Sequence, residues 1–210
     1  MGLVDTERML RAAVVTLFLA AGLAGCGEKV PRLSPVGASD VIVAFGDSLT
    51  FGTGVNEAES YPAVLAQLIN RKVIRAGVPG ETTSGGLERL ESVIEEHRPA
   101  LMIVGLGGND MLRKVNDAEI VKNLRAVLKI LKERGIAVVL VGVPKPALIT
   151  SAPEFYAGLA KEFDIPYEGK IVTDVLYKPD QKSDSIHPNA KGYRRMAEAF
   201  AALLKKAGAI

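Results

Sequence analysis

Apolar residues along this chain gather in short runs rich in β-branched side chains, and between the runs apolar positions recur every three or four residues. The runs at residues 41–45, 72–75, 101–105 and 136–143 read as strands, the first of them cut off by Gly46. Helix periods fill the intervals. Ser60 and Pro62 supply a cap and a first turn, and Val64, Leu65, Leu68 and Ile69 form a stripe expected to be buried. Leu87, Leu90 and Ile94 mark a second helix, with Pro99 beyond its end. Asn116, followed three residues later by Glu119, fits a capping box for a third, in which Ile120, Leu124, Val127, Leu128 and Leu131 share a face until Gly135 stops it. Tyr156, Leu159, Ala160 and Phe163 mark another, and Tyr193, Met196, Ala197, Phe200, Leu203 and Leu204 the last. Strands that are apolar on both faces and alternate with helices specify a parallel sheet covered on two sides. In such a sheet the ligand site lies beyond the carboxyl ends of the strands.

The pattern breaks down before residue 40. Residues 12–25 are an uncharged run in which Thr16 is the only polar side chain, too short to span a bilayer and of the length of a signal-peptide core. Asp5 and Glu7 cancel Arg8 and Arg11, whereas a start at Met9 leaves an ordinary basic leader, so Met9 is the expected start. The run ends Leu23-Ala24-Gly25-Cys26, which resembles a bacterial lipobox, and Cys26 is the only cysteine, with no partner for a disulfide. The resemblance implies that residues 1–25 are a lipoprotein signal peptide and that Cys26 becomes the lipidated first residue of the mature protein. Its diacylglycerol and acylated amine exceed the two hydrophobic signals that stable membrane anchoring takes. Gly27 follows where an inner-membrane retention Asp would stand, favouring the outer membrane of a host that has one. The bacterial cell envelope is the expected location, with the domain in the periplasm or outside. Residues 27–39 carry two prolines and two glycines without any period and read, with Cys26, as a flexible tether. Extended at ~3.1 Å per residue they would hold a domain up to ~40 Å from the membrane.

Residues 40–210 have the size of one domain with a full core. The formal charge is +2, the basic residues are dispersed and tryptophan is absent, which argues against a nucleic-acid partner.

The polar residues fall where the sheet rule asks. The first strand ends at Gly46-Asp47-Ser48, the second runs into residues 77–80, and the third into Gly105-Leu106-Gly107-Gly108-Asn109-Asp110. A hydroxyl presented where a buried strand stops is placed as a nucleophile requires. On local sequence alone Asp47 and Ser48 also fit as caps of a following helix. The last loop holds Asp184-Ser185-Ile186-His187-Pro188. An aspartate three residues ahead of a histidine on one turn can accept from its Nδ1–H and leave Nε2 free as a base.

Gly46-Asp47-Ser48-Leu49, Gly80 with the glycine-rich stretch around it, Gly107-Gly108-Asn109-Asp110 and Asp184-x-x-His187-Pro188 resemble, in order and spacing, the four blocks of the GDSL/SGNH hydrolases. The similarity covers the domain from residue 41 onward and is greatest to the bacterial thioesterase I, lysophospholipase and arylesterase branch. It implies a three-layer α/β/α doubly wound, flavodoxin-like parallel sheet of about five strands. It also implies Ser48 as nucleophile, His187 as general base and then acid, and Asp184 as the group that orients it. The oxyanion hole would be the backbone N–H of Ser48, the backbone N–H of Gly80 and the side-chain amide of Asn109. The implied reaction is hydrolysis of an acyl ester or thioester, lysophospholipids included, through an acyl-serine. It needs no cofactor and no metal.

Each residue also has a plainer role open to it. Asn109 and Gly80 suit ordinary turns, Asp184 a helix cap and His187 a loop residue before proline. His97 suits the end of its helix, and Asp47 and Asp110 are read as bracing the turns. After the fourth strand this chain has Val143-Pro144-Lys145-Pro146-Ala147-Leu148-Ile149 where relatives of that branch continue differently, so acyl preference does not transfer. The same residues would also serve an O-acetyl esterase of envelope carbohydrate, or a tethered binding protein without turnover. The sequence says nothing of oligomeric state.

Overall fold

The computed structural model describes residues 30–145 and 151–210. The leader, Cys26, the Met9 start and the residues Leu148 and Ile149 lie outside the described residues.

Five parallel strands form one sheet in the order β2-β1-β3-β4-β5, where β1 is Val41–Gly46, β2 Lys72–Gly77, β3 Leu101–Gly105, β4 Ala137–Val141 and β5 Tyr167–Glu168. This is the flavodoxin-like order, whose topological switch point lies at β1 and β3. Residues 42–45 of β1 and 101–104 of β3 have no solvent exposure, as their unbroken apolar sequence requires of central strands covered on both faces. Truncating one such side chain, Ile103 for example, costs about 2–5 kcal/mol.

The principal helices are α2 (Tyr61–Ile69), α3 (Thr83–His97), α5 (Asp117–Glu133), α6 (Glu154–Phe163) and α8 (Ala190–Ala207). Helices α2 and α8 pack together, with Tyr61 edge-on to Phe200 at 5.0 Å, and α7 (Ile171–Tyr177) joins α8. Helix α3 packs on α5 and α5 on α6. Their ends follow sequence chemistry. Thr82 caps α3 by accepting from the Gly85 N–H, Asn189 caps α8 by accepting from the Gly192 N–H, and Gly208 closes α8 in the left-handed region. Asn116 caps α5 as its sequence suggests, but Glu119 turns to Lys122, so the box is not completed. Leu68, expected in a buried stripe, is 45% exposed; Tyr61, Val64, Leu65 and Ile69 supply the inner face of α2.

The larger correction concerns the tether. Residues 30–39 are laid along the domain: Leu33 N–H donates to Ala207 O at 2.9 Å and Val36 N–H to Ala209 O at 2.8 Å. Arg71 Nε donates to Val36 O at 3.3 Å, and the Val36 side chain is buried in the core. The attachment is made largely by backbone groups, which leave no period in the sequence.

At the carboxyl edge of the sheet Gly46 stands between Gly77 and Gly105 in register. A Cβ on Gly46 would lie 2.4 Å from Gly105 O, and one on Gly77 2.2 Å from the Phe51 nitrogen. This row of absent side chains lets the turn after β1 fold back over the strand ends.

Candidate active site

The turn after β1 becomes a four-residue helix, α1 (Ser48–Phe51). Asp47 caps it, its Oδ1 accepting from the Leu49 N–H at 3.0 Å. Asp47 is the cap, and Ser48, which is not, lies in the first turn and directs its hydroxyl to the last loop. His187 Nε2 lies 3.0 Å from Ser48 Oγ, and His187 Nδ1 lies 2.7 Å from Asp184 Oδ2. The other carboxylate oxygen of Asp184 accepts from the Ile186 and His187 N–H groups, each at 2.8 Å, so the loop fixes its own aspartate. Burial works to raise the Asp184 pKa, but the hydrogen bonds from the His187 ring and the two N–H groups outweigh it and hold the carboxyl below its ordinary value. An ionised aspartate on Nδ1 fixes the tautomer in which Nε2 accepts the serine proton.

Gly80 is the third residue of the turn Val78-Pro79-Gly80-Glu81, closed by Glu81 N–H donating to Val78 O at 3.1 Å. With φ at +80° it occupies the position of a type II turn that favours glycine. Asn109 lies in the short helix α4 (Gly108–Leu112) after β3. Its Nδ2 donates to Glu81 O at 2.9 Å and to Asp47 Oδ2 at 3.3 Å. Ser48, Gly80 and Asn109 thus follow β1, β2 and β3, the three adjacent strands at the switch point. Among the described residues no acceptor takes the N–H of Ser48 or of Gly80. Ser48, Asn109 and His187 line one cleft with the apolar side chains of Leu49, Leu112, Val143, Pro144, Leu176 and Ile186. Gly80 stands outside that lining. Val143 and Pro144, from the segment after β4, wall the cleft.

Asp47 is 2% exposed, and its pKa is pushed up to about 7, first by burial and also by the Glu81 charge. The Leu49 N–H and the His187 charge oppose that rise. Asp110 braces the turns as read from sequence, accepting from Thr83 N–H at 2.8 Å and Thr83 Oγ1 at 2.6 Å. His97 ends α3 beside Glu96, away from the cleft. Among the described residues no three His, Cys, Asp or Glu side chains gather as metal ligands would.

Sequence reading missed the pair beneath the site. Arg89 of α3 donates through Nε and Nη2 to both carboxylate oxygens of Glu81. Its Nη2 also reaches Ala76 O at 3.0 Å and Gly46 O at 3.2 Å, while the guanidinium lies 4.1 Å over the Phe45 ring. One side chain thereby ties the ends of β1 and β2 to the residue whose carbonyl holds Asn109. On the outer side, Arg113 donates to Gly80 O at 2.9 Å. The sole sequence signal was a glutamate directly after Gly80, eight residues ahead of an arginine on a helix.

A model of the GDSL-like Lipase/Acylhydrolase family matches residues 44–195. The chain is 31% identical over 176 residues to the thioesterase 1/protease 1/lysophospholipase L1 of Escherichia coli (strain K12), covering 80% of this chain and 85% of that one. It is 28% identical over 180 residues to an arylesterase of Vibrio mimicus, covering 80% of this chain and 90% of the relative. The crystal structure of AlinE4, an SGNH-hydrolase family esterase, is similar with a TM-score of 0.63 and 35% identity over 82% of this chain and 98% of that one.

Proposed function

The chain belongs to the GDSL-like lipase/acylhydrolase family and is a serine esterase acting on small acyl esters or thioesters, and from that premise we propose how its residues divide the reaction. Ser48 Oγ attacks the substrate carbonyl while His187 Nε2 takes its proton, and Asp184 supports the imidazolium. The oxyanion is received by the N–H groups of Ser48 and Gly80 and by the Asn109 amide, which gives up its longer bond, to Asp47 Oδ2, and keeps that to Glu81 O. His187 then protonates the leaving alcohol or thiol, and a water, deprotonated by the same ring, hydrolyses the acyl-serine. The observation that carries this assignment is the unbroken line Ser48 Oγ to His187 Nε2 at 3.0 Å and His187 Nδ1 to Asp184 Oδ2 at 2.7 Å. The acyl group lies against Leu49, Leu112, Val143, Pro144, Leu176 and Ile186, an apolar wall suited to a hydrocarbon chain.

The finer reading places the enzyme in the bacterial envelope, exported by residues 1–25 and held to a membrane by acylated Cys26, the outer membrane where there is one. What supports it is the Leu-Ala-Gly-Cys ending of an uncharged apolar run and the absence of a second cysteine.

The test is hydrolysis of p-nitrophenyl esters from acetate to palmitate by the chain and by Ser48→Ala, with mass spectrometry of a phosphonate adduct. Hydrolysis that vanishes with Ser48, and a phosphonate on Ser48, are the expected results. A folded chain that hydrolyses every ester without Ser48, or that carries the phosphonate elsewhere, overturns the assignment. Mass spectrometry of the N-terminal peptide from envelope fractions reads the acylation of Cys26 separately.

A further inference from the structure

The sheet gives the domain two unlike ends. All five strands run the same way, and the residues proposed for catalysis follow their carboxyl ends. The chain arrives at the other end. Residues 33–36 are bonded to Ala207, the last residue of α8, to Ala209 just past it, and to Arg71 just ahead of β2. Val30 and Pro31 line one groove with residues of the last turns of α6 and α8, Lys161 and Lys206 among them, and with residues 167–170 at and after β5. β1 then crosses the sheet, and its six residues place its two ends roughly 20 Å apart.

From Cys26 to Val30 there are four peptide steps, a reach of at most ~14 Å however the chain runs. The docking of residues 30–39 has therefore removed most of the slack that the unperiodic sequence suggests. The surface brought near the anchor is basic. Arg32, Lys72, Arg98, Lys161, Lys205 and Lys206 are all exposed on this end. Helix termini account for Arg98, Lys161, Lys205 and Lys206, since cations favour helix carboxyl ends. They do not account for Arg32 and Lys72, which lie on no helix. Of the carboxylates at this end, Glu96 sits 3.7 Å from His97, Glu133 is paired with Lys129 and Glu162 with Arg125. Asp40, which accepts from the Gly37 N–H, Glu95, Asp164 and the terminal carboxylate remain among the cations.

We propose that the amino-end face of the sheet docks on an anionic membrane surface, so that the cleft of Ser48 opens away from the bilayer. The orientation rests on the proposed anchor at Cys26; the affinity of the face for anionic lipid does not. Basic side chains are drawn to anionic headgroups within about a Debye length, ~8–10 Å, which the four-residue link permits. The substrate class follows: esters and thioesters arriving from the aqueous side, in preference to lipids lying in the leaflet that holds the enzyme.

Two measurements test this. The chain beginning at Cys26, uncoupled, is sedimented with vesicles of phosphatidylcholine alone or with phosphatidylglycerol added. Binding only to the anionic vesicles, weakened at least about tenfold by Lys161→Glu/Lys205→Glu/Lys206→Glu, is expected. Absence of binding, or binding indifferent to the charge reversals, overturns the docking face. Next, the same chain is coupled through the Cys26 thiol to a maleimide lipid, which supplies an anchor whether or not cells acylate this residue. A bilayer-dissolved 4-methylumbelliferyl ester that the uncoupled chain hydrolyses is placed either in the enzyme's own vesicles or in separate ones. No advantage for the enzyme's own vesicles is expected, with full turnover of a water-soluble ester. An advantage of about tenfold or more overturns the orientation. Unmodified Cys26 in envelope fractions would remove the native anchor while leaving both vesicle results to stand as measured.

Discussion

Arg89 is the side chain whose removal tells most about how the site is held. In Arg89→Met the length of the side chain is kept and the charge is lost. Glu81, whose side chain is 6% exposed, then keeps a carboxylate with no cation beside it, and Gly46 O and Ala76 O lose a shared donor. Breaking a buried pair by removing one partner costs about 3–5 kcal/mol. For a domain of this size each kcal/mol lowers Tm by about 2–4 °C, so a fall on the order of 10 °C is expected by calorimetry. The kinetic effect comes through Glu81 O, which holds the Asn109 amide at 2.9 Å. Displacing an oxyanion donor costs up to ~10²–10³ in kcat, and KM is expected to change little because the apolar cleft is walled by other residues. The double variant Glu81→Gln/Arg89→Met removes the stranded charge, so it should regain most of the Tm but not the turnover. Turnover of Arg89→Met within about threefold of the parent would refute the positioning role. An unchanged Tm would refute the account of the buried pair.

Asn109→Ala should lower kcat by ~10²–10³ with the phosphonate still reaching Ser48, measured by steady-state turnover of p-nitrophenyl acetate. Gly77→Ala sets a Cβ 2.2 Å from the Phe51 nitrogen and 2.7 Å from Asp47 O, so it should cost both stability and most of the activity in parallel assays. Asp47 sets a pH dependence of stability. Its carboxyl rises from 3.8 to about 7 on folding, so the folded chain holds this proton more tightly than the unfolded chain. The contribution is present below about pH 4 and is lost as pH rises through 7, by an upper bound of roughly 4 kcal/mol at 1.36 kcal/mol per factor of ten in proton affinity. Asp47→Asn should therefore match the parent in urea midpoint at pH 4 and exceed it at pH 8; equal midpoints at both would show that Asp47 is not destabilising when ionised.

The parts readable in the sequence were those that repeat or that stop a repeat. β1 and β3 are unbroken apolar runs ended by glycine, and Ser48 and Asn109 were found because they follow such stops. Asp184 and His187 were found because a separation of three on one turn has a mechanical meaning. β5, only two residues long, is too short for any period to register, though a fifth strand was expected from the family resemblance. The buried face of α2 was misread at Leu68 because a nine-residue helix offers several apolar stripes and only the packing against α8 selects one. The seating of residues 30–39 could not be read at all, since backbone bonds to Ala207 and Ala209 have no side-chain signature. No period or motif ties Arg89 to Glu81, and only the third dimension puts Gly46 O and Ala76 O beside the guanidinium.

The hydrogen bond between Ser48 and His187 joins residues 139 positions apart. The strands that lead to the hydroxyl and to the two other proposed oxyanion donors are complete by residue 110, while the imidazole follows more than seventy residues later. A chain synthesised from its amino end therefore presents its hydroxyl long before its base. Synthesis halted anywhere short of Asp184 leaves a serine with nothing to take its proton. Ester cleavage thus waits on the last loop, which must close its aspartate and imidazole onto the turn after β1.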